Sequence, residues 1–453
     1  MRKVLFLDRD GVINKDVSYL YKISDLEWVD GAKEALAYAH SKGYDLIVVT
    51  NQSGVARGYY KESDVQILHD YMAHELDRSG APILHFYYCP HHKEGIVPLY
   101  AVECECRKPK PGMIMKDYKN ILIIKMSSLG DVIHALPTLY AVRKNWPNAR
   151  ITWAIHEQFA SLLPGTPWVD DVIIIDKKQL KKPTYLYQLR KELHSRHFDM
   201  TLDLQCIAKS AIVSLLSGAP EKYGYWELRE GSNLVNKALV GEHKYDHVIE
   251  RYLDTVRALG GEVEEIEFPM PAYVEAEKSI KQKLKCHGVD DEYIVVVPGA
   301  RWIVKEWPLL NFGELCIRLC ESGKKVVIAG APDDVDKGAF IENYVKHKNL
   351  INLVGSTTMP ELIELIRHCQ IFISADTGPL HIANALKRPL IAMFGTTSPK
   401  RTGPYGGSHV HLIISPTSKA TPEQPLVDDP DCMAQIAVDA VWSVYEQVLG
   451  KEL

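Results

Sequence analysis

The sequence of 453 residues lacks a long apolar segment. None of its apolar runs approaches the ~18–20 residues that a membrane-spanning helix needs, so we expect no transmembrane segment. A large excess of charge is also missing, since the formal net charge is −5. A general nucleic-acid binder is usually basic, and this balance therefore argues against nucleic acid as a partner.

A signal peptide is not expected either. The N-terminal stretch "MRKVLFLDRDGV" starts with basic residues, but Asp8 interrupts its apolar part within a few residues. This pattern favours a buried strand over a signal peptide. We therefore expect a cytoplasmic protein.

The composition is that of an average soluble globular protein, with 46% hydrophobic and 25% charged residues. The length predicts two or three domains. Short apolar runs such as "DLIVVT", "YIVVVPG" and "PLIAMFG" alternate with amphipathic helical patterns. Such continuous runs suit strands that are covered on both faces, which predicts α/β units with parallel sheets.

The chain changes character at two joints, and it contains no internal repeat and no low-complexity segment. One joint lies at Lys116–Asn120, and the other, around Glu267–Glu292, has a Pro pair and a charged helix that suit a hinge. The last residues show apolar side chains at helical spacing. We predict domains at 1–117, 118–275 and 276–430, followed by a C-terminal helix at 431–453 that packs back on the domain at 118–275.

Two carboxylates follow the first predicted strand in "KVLFLDRDGVIN". Asp8 and Asp10 stand two residues apart, so one can attack phosphorus while the other moves a proton, and a backbone carbonyl helps these two residues to hold Mg²⁺. An acidic turn after a strand is also common without any function. The next strand ends at Thr50 and Asn51, whose hydroxyl and amide groups can bind phosphate at the same edge of the sheet.

A group of four soft ligands follows in "CPHH…CECRKPKPG". Its C-x-H…C-x-C spacing suits a tetrahedral zinc ion, because cysteine clusters in a reducing compartment usually bind metal. The ligands are Cys89, His91, Cys104 and Cys106. Arg107 and Lys108 come directly after them and can neutralise phosphate. The other six of the nine cysteines are expected to be inert thiols, mostly in the core.

Together these motifs resemble the haloacid dehalogenase (HAD) superfamily, and within it the D-glycero-D-manno-heptose 1,7-bisphosphate phosphatases, over Arg2 to about Met115. The resemblance implies that Asp8 is the nucleophile and Asp10 the general acid/base. It further implies that the zinc ligands hold a substrate-specificity loop. The phosphate-binding residues that it implies are Thr50, Asn51, Arg107 and Lys108.

The sequence then departs from the phosphatase pattern. These phosphatases continue to a further strand that ends in G-D-x-x-x-D and completes the Mg²⁺ site, whereas this chain leaves the pattern at Lys116. "LGDVIHALP" is superficially similar but fits the next motif better. We therefore expect an incomplete Mg²⁺ site, an unpaired edge on the strand before Asp8, and little or no phosphatase activity.

The larger part of the chain carries polar groups at several strand ends. Ser127, Ser128 and Gly130 form a loop before Asp131, which stands at a helix start, where an acidic residue is also favoured for stability alone. Lys209 follows another strand in "DLQCIAKSA", and Arg301 and Lys305 follow a third. Asp376, Thr377, Gly378 and His381 occupy a strand-to-helix turn, whose backbone N–H groups can bind an anion.

In this order and spacing the motifs resemble the bacterial lipopolysaccharide heptosyltransferases of glycosyltransferase family 9, over Asn120 to about Leu449, with a leaning towards heptosyltransferase I. The segments "SSLGDVIHALPTL", "KEWP", "DTGPLHIANAL" and "FGTTSPKRTGPYG" carry the likeness. The resemblance implies a GT-B fold of two Rossmann-like domains, here preceded by an incomplete HAD-like α/β domain with a zinc loop.

An inverting transfer needs a base for the acceptor hydroxyl, and Asp131 is the predicted base. Lys305 and the Thr377–Gly378 turn are predicted to hold the diphosphate of the donor, together with Asp376. Asp334 is a candidate for the adenosine ribose or an ordinary loop acid, and His381 is either a phosphate ligand or structural. Ser127, Ser128, Gly130 and Lys209 are expected on the acceptor side.

The predicted activity is transfer of heptose from ADP-L-glycero-D-manno-heptose to Kdo of Kdo₂–lipid A in the lipopolysaccharide core. No cofactor is expected for this transfer, Zn²⁺ is expected as a structural ion, and Mg²⁺ is needed only if the phosphatase-like domain is active. One alternative is a bifunctional enzyme that also hydrolyses heptose bisphosphate, and another is a zinc module that serves only for docking.

The run "DKKQLKKPTYLYQLRKELHSR" combines lysine and arginine residues with two tyrosines. It is either a solvated helix face or a surface for phosphorylated lipid A on the anionic inner leaflet. We therefore expect a cytoplasmic enzyme in peripheral contact with the inner membrane.

Overall fold

The computed structural model describes residues 3–104, 106–109, 116, 118–290, 292–429 and 431–449. Residues 110–115, directly before the predicted joint at Lys116, and residues 450–453 of the predicted C-terminal segment lie outside the described residues. The chain divides into two compact units. The first comprises Met1–Asp117 with Leu259–Glu262, and the second comprises Tyr118–Ala258 with Val263–Leu453.

The first unit has a three-stranded parallel sheet with the strand order β1-β2-β3. Its elements are β1 (Lys3–Leu7), α1 (Ala32–Ser41), β2 (Tyr44–Asn51), α2 (Glu62–Arg78) and β3 (Ile83–Cys89). Both helices contribute to one core with the central strand, through residues such as Leu36, Leu46 and Met72. Because parallel strands end at the same edge of a sheet, the residues after β1 and β2 lie at one edge.

Strand β1 has the unpaired edge that the sequence predicts. Within the described residues it pairs with β2 alone. Val4 and Phe6 on this strand are 40% and 49% exposed.

The second unit begins with a lobe built on a six-stranded sheet of order β6-β5-β4-β7-β8-β9, which we call the front lobe. Its strands are β4 (Asn120–Ile124), β5 (Arg150–Ile155), β6 (Asp171–Ile174), β7 (Met200–Asp203), β8 (Glu221–Tyr225) and β9 (Lys237–Leu239). Its helices are α3 (Leu129–Asn145), α4 (Pro183–His194), α5 (Ala208–Leu216) and α6 (Val248–Ala258). All its strand pairs are parallel.

The rear lobe has a second six-stranded parallel sheet, of order β12-β11-β10-β13-β14-β15. Its strands are β10 (Ile294–Val297), β11 (Val326–Ile328), β12 (Leu350–Asn352), β13 (Ile371–Ala375), β14 (Leu390–Phe394) and β15 (Val410–Ile414). Its helices are α7 (Val274–Cys286), α8 (Leu309–Glu321), α9 (Val335–Val345), α10 (Met359–Arg367), α11 (Gly378–Ala385), α12 (Pro399–Thr402) and α13 (Val438–Leu449).

Both large sheets confirm the parallel α/β prediction. Strands β10, β13 and β14 are buried at every position, as apolar strands between two helical layers must be. Short connections place the loops after β4, β10 and β13 at the carboxyl ends of their sheets, where α/β proteins bind ligands. In the part of the chain that the structure describes, no helix combines the length and apolar character needed to span a bilayer.

The C-terminal helix does not pack where the sequence analysis placed it. Val441, Tyr445 and Val448 of α13 lie in the core of the rear lobe, beside Phe312 of α8. The expectation that it packs on the front lobe is therefore wrong. The apolar stripe of α13 indicated that the helix is buried, but the rear lobe supplies the surface that covers it.

Candidate functional site

A cavity of about 1360 Å³ lies between the front and rear lobes of the second unit. Loops at the carboxyl ends of both sheets line it. Ten of the predicted transferase residues contribute to its wall, namely Ser127, Ser128, Gly130, Asp131, Lys305, Asp334, Asp376, Thr377, Gly378 and His381. Lys209, which we predicted on the acceptor side, is exposed and does not line the cavity.

Asp131 stands in the first turn of α3, where it also caps the helix. Its Oδ2 accepts hydrogen bonds from the Ser128 backbone N–H at 2.9 Å and from the Ser128 hydroxyl at 2.7 Å. No hydrogen bond to Oδ1 occurs among the described residues, so this oxygen is left to accept a proton. The Asp131 side chain therefore caps α3 and also lines the cavity.

The electrostatic surroundings keep Asp131 ionised. Burial by itself raises the pKa of this carboxyl, but the Lys125 ammonium and the two Ser128 hydrogen bonds outweigh burial, so the pKa lies below its usual value. Lys125 is buried, and its Nζ donates to the Leu204 carbonyl and the Tyr252 hydroxyl. We did not predict a role for Lys125, and only its position at the end of an apolar strand hinted at one.

On the rear wall, Asp376 holds two neighbouring side chains in place. Its Oδ2 accepts from Lys305 Nζ at 2.7 Å and from the Thr397 hydroxyl at 2.7 Å. Helix α11 begins two residues later, and its first backbone N–H groups have no partner within the helix. Lys305 and this helix start together form a positively polarised wall.

Asp334 lies further along the rear wall. Its Oδ1 accepts from Lys337 Nζ at 2.8 Å, and Lys337 also donates to Glu306. The carboxylate approaches Gly299 so closely that a side chain there would overlap it. Gly299 is therefore required for the close packing of the loop after β10 against Asp334.

A histidine pair connects the two walls. His381 Nδ1 on α11 lies 3.2 Å from His134 Nε2 on α3, and both rings are buried. A Cβ atom on Gly130 would stand only 2.6 Å from His381 Cδ2, so the front lobe touches the ring directly. Sequence reasoning missed His134, because its helical position in "GDVIHALP" is that of an ordinary core residue.

Cationic side chains from both lobes act on Lys177, which lies beside Ser127. Lys177 donates to the Ser127 hydroxyl, and burial together with Lys209 and Arg301 lowers the pKa of Lys177. In the described part of the chain, none of these three cations forms an ion pair with a carboxylate. Such mutually repelling cations favour an anionic ligand.

In the first unit, both predicted catalytic carboxylates are already engaged. Asp8 Oδ1 accepts from the Arg9 backbone N–H at 2.8 Å, and its Oδ2 lies 2.6 Å from Lys108 Nζ. Asp10 accepts from the Arg9 guanidinium and from three neighbouring side chains, namely Asn14, Thr50 and Gln52. With so many donors around Asp10, the described residues do not fit a Mg²⁺ ion at this carboxylate.

Three of the four predicted phosphate-binding residues of the first unit, Thr50, Asn51 and Lys108, lie at the same edge of its sheet. Asn51 Oδ1 accepts from the Lys108 backbone N–H at 2.9 Å, and Lys108 Nζ also donates to the Val49 carbonyl at 2.9 Å. Thr50 is buried and donates to Asp10 at 3.3 Å. Arg107 lies apart from them and donates to the His91 carbonyl at 3.3 Å.

The predicted zinc ligands form one cluster. The ligand atoms of Cys89, His91, Cys104 and Cys106 all lie within 4.8 Å of one another. The three sulfur atoms are 3.2–3.4 Å apart, and a tetrahedral zinc site with Zn–S bonds of about 2.3 Å needs a spacing of about 3.8 Å. A hydrogen bond from the Cys106 thiol lowers the pKa of Cys89 to about 5, which favours the thiolate that binds metal. The cluster therefore fits a metal ion after a small expansion.

Comparisons with known families agree with both motif sets. The model of "Glycosyltransferase family 9 (heptosyltransferase)" matches residues 186–429, and that of "Polynucleotide kinase 3 phosphatase" matches residues 3–132. The second match runs past Asp117 through β4 and the Gly130–Asp131 turn. The structure places those elements in the sheet of the front lobe, where β4 lies between β5 and β7.

One relative and two solved structures illustrate the likeness. The D-glycero-alpha-D-manno-heptose-1,7-bisphosphate 7-phosphatase of Photorhabdus laumondii is 44% identical over 160 residues, which cover 33% of this chain and 87% of the relative. A family 9 glycosyltransferase from Veillonella parvula is 21% identical, with a TM-score of 0.66 over 74% of this chain and 98% of that one. The E. coli ADP-heptose lps heptosyltransferase II is 23% identical, with a TM-score of 0.60 over 74% and 99%. These two structures show a shared fold.

Proposed function

We propose a function from one premise: the chain belongs to glycosyltransferase family 9, the heptosyltransferases, and carries an N-terminal domain of the heptose-bisphosphate phosphatase family. The second unit transfers heptose from ADP-L-glycero-D-manno-heptose to Kdo of Kdo₂–lipid A. The observation that carries the proposal is that Asp131 and the Lys305–Asp376–Thr377 wall face one cavity from opposite lobes.

In this proposal Asp131 is the general base. Its Oδ1 is without a hydrogen bond among the described residues, and the low pKa keeps the carboxylate ionised. A carboxylate with a low pKa is intrinsically a weak base, so its effect depends on placement near the acceptor hydroxyl. The base takes the hydroxyl proton as the acceptor oxygen attacks the anomeric carbon of the heptose.

The rear wall supports the departing ADP. Negative charge grows on the diphosphate as the glycosidic bond breaks, and Lys305 with the start of α11 stabilises this charge. Because Lys305 is also paired with Asp376, the ammonium is held in position before the donor binds. Asp334 contributes to the same wall, where it is the candidate partner for the ribose hydroxyls of ADP.

The cations around Lys177 suit an acidic acceptor. Kdo carries a carboxylate, and lipid A carries phosphates. Lys177 of the front lobe and Arg301 of the rear lobe both line the cavity, and Lys209 lies close enough to Lys177 to lower its pKa. An anionic acceptor would relieve the mutual repulsion of these three cations.

We further propose that the exposed cationic side chains on and before α4 contact the anionic membrane in which lipid A resides. They flank Tyr187 in the sequence, and this side chain is 72% exposed. The basic residues are Lys178, Lys181, Lys182, Arg190 and Lys191, and all five are exposed. Each near-surface cation contributes about 1 kcal/mol to such contact. Co-sedimentation with phosphatidylglycerol vesicles, lost in high salt and missing with neutral vesicles, is the expected result.

The test of the transferase activity uses the complete chain with ADP-heptose and Kdo₂–lipid A. We expect a product larger by one heptose in the mass spectrum. Asp131→Asn should lower turnover by about 10²–10⁴ while thermal unfolding stays unchanged, because the amide oxygen still accepts the Ser128 hydrogen bonds. Normal turnover of this variant would contradict the assignment of the base, and no transfer by the wild type would contradict the proposed reaction.

For the first unit we propose a domain with little or no phosphatase activity. Asp8 is paired with Lys108, Asp10 is surrounded by donors, and β1 has an open edge. The bifunctional alternative draws on the likeness to heptose-bisphosphate phosphatases. Measuring phosphate release from D-glycero-D-manno-heptose 1,7-bisphosphate in the presence of Mg²⁺ distinguishes the inactive domain from the bifunctional enzyme. Phosphate release that disappears in Asp8→Asn would establish the bifunctional enzyme.

A further inference from the structure

Three buried histidines, His247, His134 and His381, form a row, and the last two line the cavity between the lobes. His134 lies in the middle, with its ring centre 4.3 Å from that of His381 and 5.6 Å from that of His247. Burial lowers the pKa of all three imidazoles, to about 4 for His247. The row is therefore neutral, and each ring carries one proton on one of its two nitrogens.

The backbone determines the tautomer of His247. Its Nε2 lies 3.0 Å from the Gly403 carbonyl, which can only accept, and its Nδ1 lies 3.2 Å from the Ile249 N–H, which can only donate. His247 therefore carries its proton on Nε2. Both ring nitrogens of His247 thus have backbone partners, and neither requires a hydrogen bond with His134.

The tautomer of His134 follows from its unpartnered nitrogen. His134 Nδ1 is buried and has no hydrogen-bond partner among the described residues. A buried N–H without an acceptor is rarer in proteins than an unsatisfied acceptor, so the proton belongs on Nε2. His134 Nε2–H then donates to His381 Nδ1 across the 3.2 Å contact.

The far side of His381 favours the same arrangement. His381 Nε2 lies 4.0 Å from Asp376 Oδ1, on the wall that holds Lys305. A bare nitrogen lone pair would repel this carboxylate, whereas an N–H is attracted to it. Both ends of the pair thus place the His381 proton on Nε2.

We propose that His134 is a positioning residue that locks His381 in the Nε2–H tautomer, so that His381 presents a neutral hydrogen-bond donor to the anionic group of the donor substrate. The effect on the reaction rate rests on the proposed heptosyl transfer, whereas the tautomer of His381 does not. It excludes His381 as the proton acceptor, because Nδ1 already accepts from His134. Asp131 then remains the group that takes the acceptor proton.

The first test needs no substrate. Full-length protein labelled with ¹⁵N-histidine gives two ring-nitrogen resonances for His381, which are assigned by their loss in His381→Gln. We expect a protonated, pyrrole-type shift for Nε2 and an unprotonated shift for Nδ1. An unprotonated Nε2 in the wild type would overturn the proposal, whether or not the protein transfers heptose.

The second test separates the tautomer from simple packing. His134→Leu removes the donor, and we expect kcat to fall about tenfold with little change in either KM, since the lost hydrogen bond acts on charge that develops in the transition state. His134→Gln keeps an N–H donor of similar reach and should restore most of kcat and the Nε2–H signal. Thr138→Val, one turn further along α3, removes another buried and unpartnered polar atom and should have no effect on kcat.

Two results of the second test would overturn the proposal. Equal losses in His134→Leu and His134→Gln would mean that the shape of the imidazole, and not its donor, matters. An unchanged Nε2–H signal together with full kcat in His134→Leu would mean that Asp376 alone sets the tautomer. If the wild type has no transferase activity, the proposed function is refuted. The ¹⁵N measurement then still tests the tautomer of His381, because it needs no substrate.

Discussion

Replacing Gly130 by alanine tests how closely the two lobes must approach each other. A Cβ atom at this position would stand 2.6 Å from Cδ2 and 3.2 Å from Nε2 of His381. Carbon atoms in contact are about 3.5–4.0 Å apart, so the ring or the whole lobe must retreat by about 1 Å. The His381 ring cannot swing away freely, because it is buried and hydrogen-bonded to His134.

A displacement of this size is expected to affect both catalysis and stability. A misplacement of about 1 Å costs on the order of 10²-fold in rate, which corresponds to about 2.7 kcal/mol in the activation free energy. The added methyl group favours the helix by up to about 1 kcal/mol and overpacks the interface by about 1–3 kcal/mol. The free energy of unfolding should therefore fall by no more than about 3 kcal/mol.

The assay compares heptosyl transfer and thermal unfolding of Gly130→Ala with those of Gly165→Ala. Gly165 lies in a loop of the front lobe, its φ is not left-handed, and a Cβ there would meet nothing within 4 Å. We expect the control to behave as the wild type. Full turnover in Gly130→Ala would refute the reasoning, because the close approach of the lobes at His381 would then be unnecessary for the reaction.

Two further predictions concern charge and metal. Lys125→Met removes a cation that favours the Asp131 carboxylate, so the pKa of Asp131 should rise. The acidic limb of the pH profile of kcat/KM, measured over roughly pH 4–9, should then move to higher pH. A limb that does not move would contradict the assignment of Asp131 as base. Cys106→Ser or a chelator should release a metal ion that elemental analysis detects, and it should lower the thermal stability of the first unit. The reason is that structural zinc contributes about 10–16 kcal/mol to folding. Cys286→Ser, at an exposed thiol outside the cluster, is the control and should change neither the metal content nor the thermal stability.

Local patterns in the sequence were enough to predict the elements and the chemical groups. Apolar strands that lack alternation must be covered on both faces, and the two six-stranded parallel sheets are built from them. Asp131 was likewise predicted at a helix start, where the structure has a capping interaction with Ser128. The four metal ligands were readable from their spacing because each pair is close in the chain.

Features that depend on distant parts of the chain were decided by the tertiary structure. His134 and His381 are 247 positions apart, and nothing in either local pattern shows that their nitrogens meet. Lys125 looked like the end of a strand until packing buried it beside Asp131 and Tyr252. The apolar stripe of α13 predicted that the helix is buried, but it did not show which lobe covers it.

The division has a physical reason. Hydrophobic periodicity and motif spacing are set by neighbouring residues, so the α/β class, the motif residues and the likeness to two sugar-pathway families could be read from the sequence alone. Distances across the cavity depend on how the two large sheets of the second unit pack against each other. Only the tertiary structure could therefore decide which cations, histidines and carboxylates face one another.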